Sequence, residues 1–271
     1  MIFLILTAGV FLRSGAGRET ADFNINLRAE QEYSIEKKQT VSLKTLPEIP
    51  VLSYHQVRDW KSSDSKAARV YIMPVGIFKE QMQMLADSGY QAILPEQLTA
   101  YPERGEQLPE KPVMLTFDDG TGSQYSNALP LLNKANYKAV FFIMTVTLNH
   151  NGYMSNNQIK TLAQQGHIIG CHTWDHHRVT EFKEQDWDKQ ILKPAVQLQN
   201  ITGRPVKYFA YPYGIWSTAA IAKLKGYGFD AAFQLSLKKD TQNPLFTIRR
   251  IIVDSHWDAA HLQLEMKKNF H

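Results

Sequence analysis

From Pro50 onward the chain alternates short apolar runs with helical patterns, and polar or ionisable residues follow most of the runs. The runs are residues 51–54, 91–94, 113–117, 139–144, 167–171, 206–210, 230–235 and 247–253. Amphipathic stretches lie between most of them. Phe78, Met82 and Leu85 share one helical face and Gly89 supplies a stop. Ser155 and Gln158 form a capping-box pattern ahead of Ile159, Leu162 and Ala163, with Gly166 as the end signal. Trp187, Ile191 and Leu198 lie on a longer helix closed by Gly203, and Ser217 can cap a helix carrying Ile221 and Leu224 up to Gly226. Such alternation predicts a parallel sheet with crossover helices. Seven or eight strands of this kind predict an α/β fold, a distorted (β/α) barrel. A doubly wound open sheet is the alternative.

Both architectures put chemistry at the carboxyl ends of the strands. His55 follows VLSY, Asp118-Asp119-Gly120 follows VMLTF, and His172 and His176 follow HIIGC. Tyr211-Pro212-Tyr213-Gly214 follows VKYFA, and Arg249 and Arg250 lie within the last run. Taken alone, Asp-Gly is a turn signal. Two tandem carboxylates behind a buried strand, however, need a cation or must be neutralised. A spacing of four puts His172 and His176 on one face of a helical turn, a geometry that metal sites use. Asp119, His172 and His176 would then form a three-ligand metal site with an open position, the catalytic arrangement for zinc. His177 competes as second histidine. Two histidines and a carboxylate also describe a non-haem iron site, but the spare Asp118, placed to act as a general base, favours hydrolysis. Cys171 neighbours His172 on a strand, so it should face the other way and fill the core.

Apolar residues make up 44% and charged residues 21% of the 271, which excludes disorder and collagen-like repeats for most of the chain. The net charge of +4 is scattered rather than clustered, which argues against a nucleic-acid partner. A single cysteine excludes an intramolecular disulfide, a zinc ribbon and a CxxC site. Residues 2–12 are almost wholly apolar, too short for a comfortable membrane span but long enough for a signal-peptide core, with Ser14-Gly15-Ala16 as a cleavage site. Residues 1–16 are therefore read as a signal peptide or N-terminal membrane anchor, although no basic residues precede the run. Residues 17–47 are polar without a sustained period and read as an extension or linker; residues 48–271 form the catalytic domain. The expected location is extracytoplasmic: secreted, periplasmic or cell-surface.

TFDDG (116–120), HTWDH (172–176) and YPYG (211–214) come in an order and spacing that resemble the polysaccharide deacetylases, the NodB-homology domain of carbohydrate esterase family 4. The AVFFIM strand (139–144) is similar too, and the resemblance covers roughly residues 50–253. LSYHQV (52–57), followed by FKEQMQMLADSGY (78–90), further resembles the poly-β-1,6-N-acetylglucosamine N-deacetylases of biofilm formation. The resemblance implies a NodB-type barrel and a metal-dependent hydrolase that removes acetate from acetamide groups of an N-acetylated glycan. It implies one divalent metal ion, zinc with cobalt or nickel as alternatives, held by Asp119, His172 and His176. Asp118 would be the general base, His55 the acid protonating the leaving amine, and the Tyr213 backbone N–H an oxyanion donor, with Tyr211 and Gly214 in the same substrate loop. His256 and His261 are fallbacks for the acid, and Trp174, Tyr211 and Trp216 could stack on sugar rings. Two departures stand out. The family's FRPPYG reads Phe209-Ala210-Tyr211-Pro212-Tyr213-Gly214, so the arginine that tunes the base is absent there and Arg250 is the candidate substitute; and His177 stands where proline is usual. Peptidoglycan, chitin oligomers and acetylxylan are alternative substrates, and an inactive glycan-binding module or a membrane-tethered structural protein are alternative roles.

Overall fold

The long apolar runs fold into strands because parallel strands are buried on both faces and read as near-continuous hydrophobic sequence. A computed structural model of the chain describes residues 47–104 and 107–270. The proposed signal or anchor (1–16), and all of the 17–47 extension but Pro47, lie outside the described residues. Ten strands occur among the described residues: β1 (Val51–Tyr54), β2 (Gln56–Val57), β3 (Ile72–Met73), β4 (Gln91–Ala92), β5 (Pro112–Phe117), β6 (Val140–Ile143), β7 (Ile168–Cys171), β8 (Tyr208–Ala210), β9 (Ala231–Phe233) and β10 (Ile251–Ile252).

Seven strands run in the order β10-β1-β5-β6-β7-β8-β9, β4 joins the start of β5, and all pairings are parallel. The sheet curls because Ile248, just ahead of β10, bridges Phe233 at the far edge: its N–H donates to Ala232 O at 3.1 Å and its carbonyl accepts from Gln234 N at 2.9 Å. This is the distorted parallel barrel that the alternation predicts, not a doubly wound sheet. The eight expected strands all occur, several shortened: the 247–253 run contributes only two ladder residues because Ile248 pairs the opposite edge. The two-stranded sheet β2-β3 is an addition.

Period-two alternation sorts the strand residues between two cores. Leu52, Tyr54, Leu115, Phe117, Phe141, Phe209 and Cys171 pack outward with helix residues such as Phe78, Leu132, Ile159 and Leu198. Val51, Met114, Val140, Phe142, Ala210 and Phe233 fill the inner face. The helices begin and end as their caps dictate. Ser155 and Gln158 make a reciprocal capping box before Asn156–Gln164, Ser217 accepts from Ala220 N before Thr218–Gly226, and left-handed Gly203 ends Lys193–Thr202. Gly170 is required on the inner face, since a Cβ there would lie 2.5 Å from the Phe142 ring. Among the described residues no helix is long and apolar enough to cross a membrane.

Candidate active site

The inner-face alternation continues past the ladder, so Ser53 leads to His55, Thr116 to Asp118 and Gly170 to His172. The ladder sets their height. Tyr54 pairs Phe117, Asp118 N donates to Tyr54 O at 2.9 Å, and His172 N donates to Ile143 O at 3.0 Å. His55, Asp118, Asp119, His172, His176, Tyr211, Tyr213, Gly214 and Arg250 all line one cavity of about 460 Å³ at the carboxyl ends of the strands, with Tyr71, Leu235 and Ile252 among the remaining walls.

Asp119, His172 and His176 each offer a ligand atom, and these atoms lie within 4.8 Å of one another. His172 Nε2 stands 3.7 Å and His176 Nε2 3.9 Å from Asp119 Oδ1, beyond hydrogen-bonding reach. His172 is buried, and its Nδ1 meets Ala210 O at 2.8 Å. A carbonyl can only accept, so Nδ1 carries the proton and Nε2 presents a lone pair. That Nε2 is buried without a hydrogen-bond partner. Burial pushes His176 down to about 4, which keeps its ring neutral. An orphaned imidazole nitrogen, a second neutral imidazole and a carboxylate are a donor set that fits a divalent cation.

The route by which the two histidines converge differs from the expectation. Residues 173–175 form a turn, not a helix; Thr173 (φ 64°) and His176 (φ 66°) are left-handed, and Thr173 Oγ1 caps His176 N at 2.9 Å. His177 points elsewhere: half exposed, it pairs with Glu181 at 3.6 Å.

Asp118 is held by Arg250, with Nη1 to Oδ1 at 2.7 Å and Nη2 to Oδ2 at 2.8 Å. Burial would raise the Asp118 carboxyl, but the Arg250 charge and its hydrogen bonds outweigh it and hold it well below the usual carboxylate range. Arg250 also donates to Thr116 Oγ1 (3.1 Å) and Gln234 O (3.3 Å), and it lies over the Phe142 ring. The half-buried Arg249 instead pairs with Glu48 at 2.9 Å.

Tyr213 (φ 59°) is 53% exposed, its ring 4.6 Å from His176 and under Arg178. Gly214 permits this loop. At φ +68° a Cβ would lie 2.6 Å from Leu235 N. Tyr211 cannot stack on a sugar: it is fully buried, edge-on to Phe209, because the residue after β8 points outward to the helix layer. Trp174 lies beneath Lys189 and Trp216 packs on the main core; neither lines the cavity. His256 pairs with Asp254 at 2.7 Å and His261 stacks on Trp257, both away from the cavity. Cys171 is buried and its thiol is pushed up to about 12 by burial, as core filling requires. Sequence reasoning missed Tyr71, edge-on to His55 at 5.1 Å, and the buried Gln124; neither sits in a motif.

The fold is a curled α/β barrel with two histidines and a carboxylate gathered at its carboxyl rim. Residues 105–232 match the family model of the polysaccharide deacetylases, and the chain carries a domain of that family. Among its relatives are the peptidoglycan-N-acetylglucosamine deacetylase PgdA of Listeria monocytogenes, 28% identical over 200 residues (70% of this chain, 41% of that protein). The poly-beta-1,6-N-acetyl-D-glucosamine N-deacetylase of Staphylococcus aureus is 24% identical over 241 residues, 78% of this chain and 83% of that one. The matched stretch spans 62%, 36% and 41% of three relatives' own lengths. The fold matches that of the Streptococcus pyogenes deacetylase PplD, solved with acetate, with TM-score 0.75 and 22% identity over 82% of this chain and 99% of that one.

Proposed function

We propose that the chain is a metal-dependent polysaccharide N-deacetylase acting outside the cytoplasm. The observation that carries this is the cavity itself, where the orphaned His172 Nε2 meets Asp119 and His176 beside the arginine-paired Asp118. Asp119, His172 and His176 would hold one divalent ion, zinc or else cobalt or nickel, which when bound supplies Lewis acidity toward water and the acetyl carbonyl. Asp118, kept ionised by Arg250, takes the proton of the attacking water. The Tyr213 backbone N–H, in the loop that Gly214 allows, faces the developing oxyanion. His55 delivers a proton to the nitrogen as the C–N bond breaks, leaving acetate and a free amine.

The substrate we favour is poly-β-1,6-N-acetylglucosamine. The supports are the LSYHQV segment, which puts a histidine of the cavity ahead of TFDDG, and the Staphylococcus relative's match over most of both chains. Peptidoglycan is the second reading, favoured by the Listeria relative. The test is acetate release by the zinc- or cobalt-loaded protein from β-1,6-N-acetylglucosamine oligomers, chitin oligomers, peptidoglycan and acetylxylan, beside Asp118→Asn. Release from the β-1,6 oligomers alone, lost in the variant, is the expected result. Release only from another polymer replaces the substrate, and none from any, with metal bound, returns the chain to a glycan-binding role.

A further inference from the structure

His55 and Asp118 follow paired residues on adjacent strands, Tyr54 and Phe117, but beyond that pair the strands part. β1 turns toward β2, and β5 enters the Asp119-Gly120 turn, whose two residues are both left-handed. The carbonyls of His55 and Asp118 therefore leave the ladder, and buried carbonyls need donors. One side chain serves both. Gln124 Nε2 donates to His55 O at 2.7 Å and also to Asp118 O. Gln124 is fully buried, and its Oε1 has no partner. A flipped amide would aim that oxygen at two carbonyls, so the chemistry fixes the orientation.

Gln124 opens a π-turn, Gln124–Ala128, in which Leu129 N reaches back to Gln124 O. Such turns place side chains where a regular helix would not. The residues on either side of Gln124 hold the same neighbour: Val57 N donates to Ser123 Oγ at 3.1 Å, and Asn127 Nδ2 donates to Val57 O at 2.8 Å. Residues 55–57 are thus clasped from one short segment, and that segment is tied directly to the Asp118 backbone.

We infer that Gln124 is a positioning residue, holding His55 at the height of Asp118 so that its imidazole reaches the leaving nitrogen. This rests on the deacetylase reading. In that reaction the C–N electron pair stays on nitrogen and the His55 proton goes to it. An aryl acetate leaves as a phenolate that needs no proton. Asp118 keeps its bonds to Arg250 and to Tyr54 O without Gln124, so Gln124 should matter far more for acetamides than for aryl esters.

The variant is Gln124→Met, close in shape but unable to donate; Ser123→Ala with Asn127→Ala loosens the same clasp if the first fails to fold. On an N-acetylglucosamine oligomer we expect kcat to fall about 10- to 100-fold with KM little changed, since misplacement of about 1 Å costs that much. Hydrolysis of 4-nitrophenyl acetate should stay within roughly 3-fold, and Gln124→Met should add little to His55→Ala on the oligomer. Equal losses on both substrates, or full multiplication with His55→Ala, would make Gln124 a structural residue only. A spectrum of histidine-labelled protein gives a reading free of turnover. The His55 signal should shift or broaden in Gln124→Met while that of His172 holds, and an unmoved His55 signal would overturn the inference. Wild-type silence on every glycan would instead count against the deacetylase reading.

Discussion

Arg250 grips Asp118 through both carboxylate oxygens, at 2.7 and 2.8 Å, with both side chains almost wholly buried. The motif position where an arginine would be expected holds Ala210, so the charge arrives from the far end of the chain, 132 residues away. The strand order makes this short in space. β10 pairs β1, β1 pairs β5, and Arg250 enters the barrel just ahead of β10. A fork donating to two oxygens fixes orientation as well as charge.

Replacing Arg250 tests that role. Arg250→Gln leaves a buried carboxylate unpaired, which costs about 3–5 kcal/mol. Asp118 is depressed in the folded protein. Its stabilisation is therefore present above the ordinary carboxylate range and is lost as pH falls toward its folded value. The variant lacks it, so its deficit against wild type in urea unfolding should be largest near pH 7 and shrink in acid. The acid limb of kcat/KM should move to higher pH, because burial, no longer offset by the Arg250 charge, raises the Asp118 carboxyl. A deficit independent of pH would show that the pair does not set the Asp118 charge.

Asp118 and Asp119 are adjacent yet should fail differently. Asp118→Asn should fold with some loss of stability, since Arg250 stays buried and charged, and should keep its metal while turnover drops about 10²- to 10⁴-fold. Asp119→Ala and His172→Ala should lose metal first. Metal content by elemental analysis, taken beside acetate release, separates the two patterns. Wild-type turnover in Asp118→Asn would mean that another group is the base.

Six of the eight strands of the curled sheet are legible as apolar runs because burial on both faces leaves little else in them, whereas β4 and β10 are only partly buried and keep just two ladder residues of their runs. His55, Asp118, Asp119, His172 and His176 are legible because each follows such a run, and in this topology the run ends share one rim. The turn at 173–175 is not legible: a spacing of four fits a helical turn equally well, and only two left-handed residues distinguish them. The burial of Tyr211 turns on which face the residue after β8 takes, and the sequence marks its polarity but not its direction. β2 and β3 are two residues each, too short for a period, and Gln124 works through π-turn geometry that no motif announces.

Gly214 should be sensitive where another glycine is not. Gly214→Ala places a Cβ 2.6 Å from Leu235 N and Leu235 Cβ at φ +68°, while at Gly226 a Cβ meets nothing within 4 Å. We expect Gly214→Ala to cost about 1–3 kcal/mol and to lower kcat by shifting Tyr213. Gly226→Ala, at the end of its helix, should be neutral or stabilising by up to about 1 kcal/mol. Paired melting curves and acetate-release rates check both, and equal behaviour of the two variants would remove the steric argument.

His167 gives the protein a pH dependence unrelated to its site. The ring is 1% exposed, packed edge-on to Phe141, and its Nδ1 accepts from Ala139 N at 3.1 Å. Nδ1 must therefore be unprotonated, and protonating it would break the bond that joins the start of β7 to β6. Burial, with Lys138 nearby, pushes His167 down to about 4, against about 6.5 in an unfolded chain. The folded state thus binds fewer protons between those values, so stability rises with pH across that window. The stabilisation is complete above about pH 6.5, drains away as pH falls toward 4, and amounts to roughly 3 kcal/mol over the window. His167→Asn keeps an acceptor near Nδ1 but cannot titrate. Urea unfolding at steps from pH 7 to pH 4 should give wild type the steeper decline, with the two proteins converging in acid; parallel declines would assign the acid sensitivity to other groups.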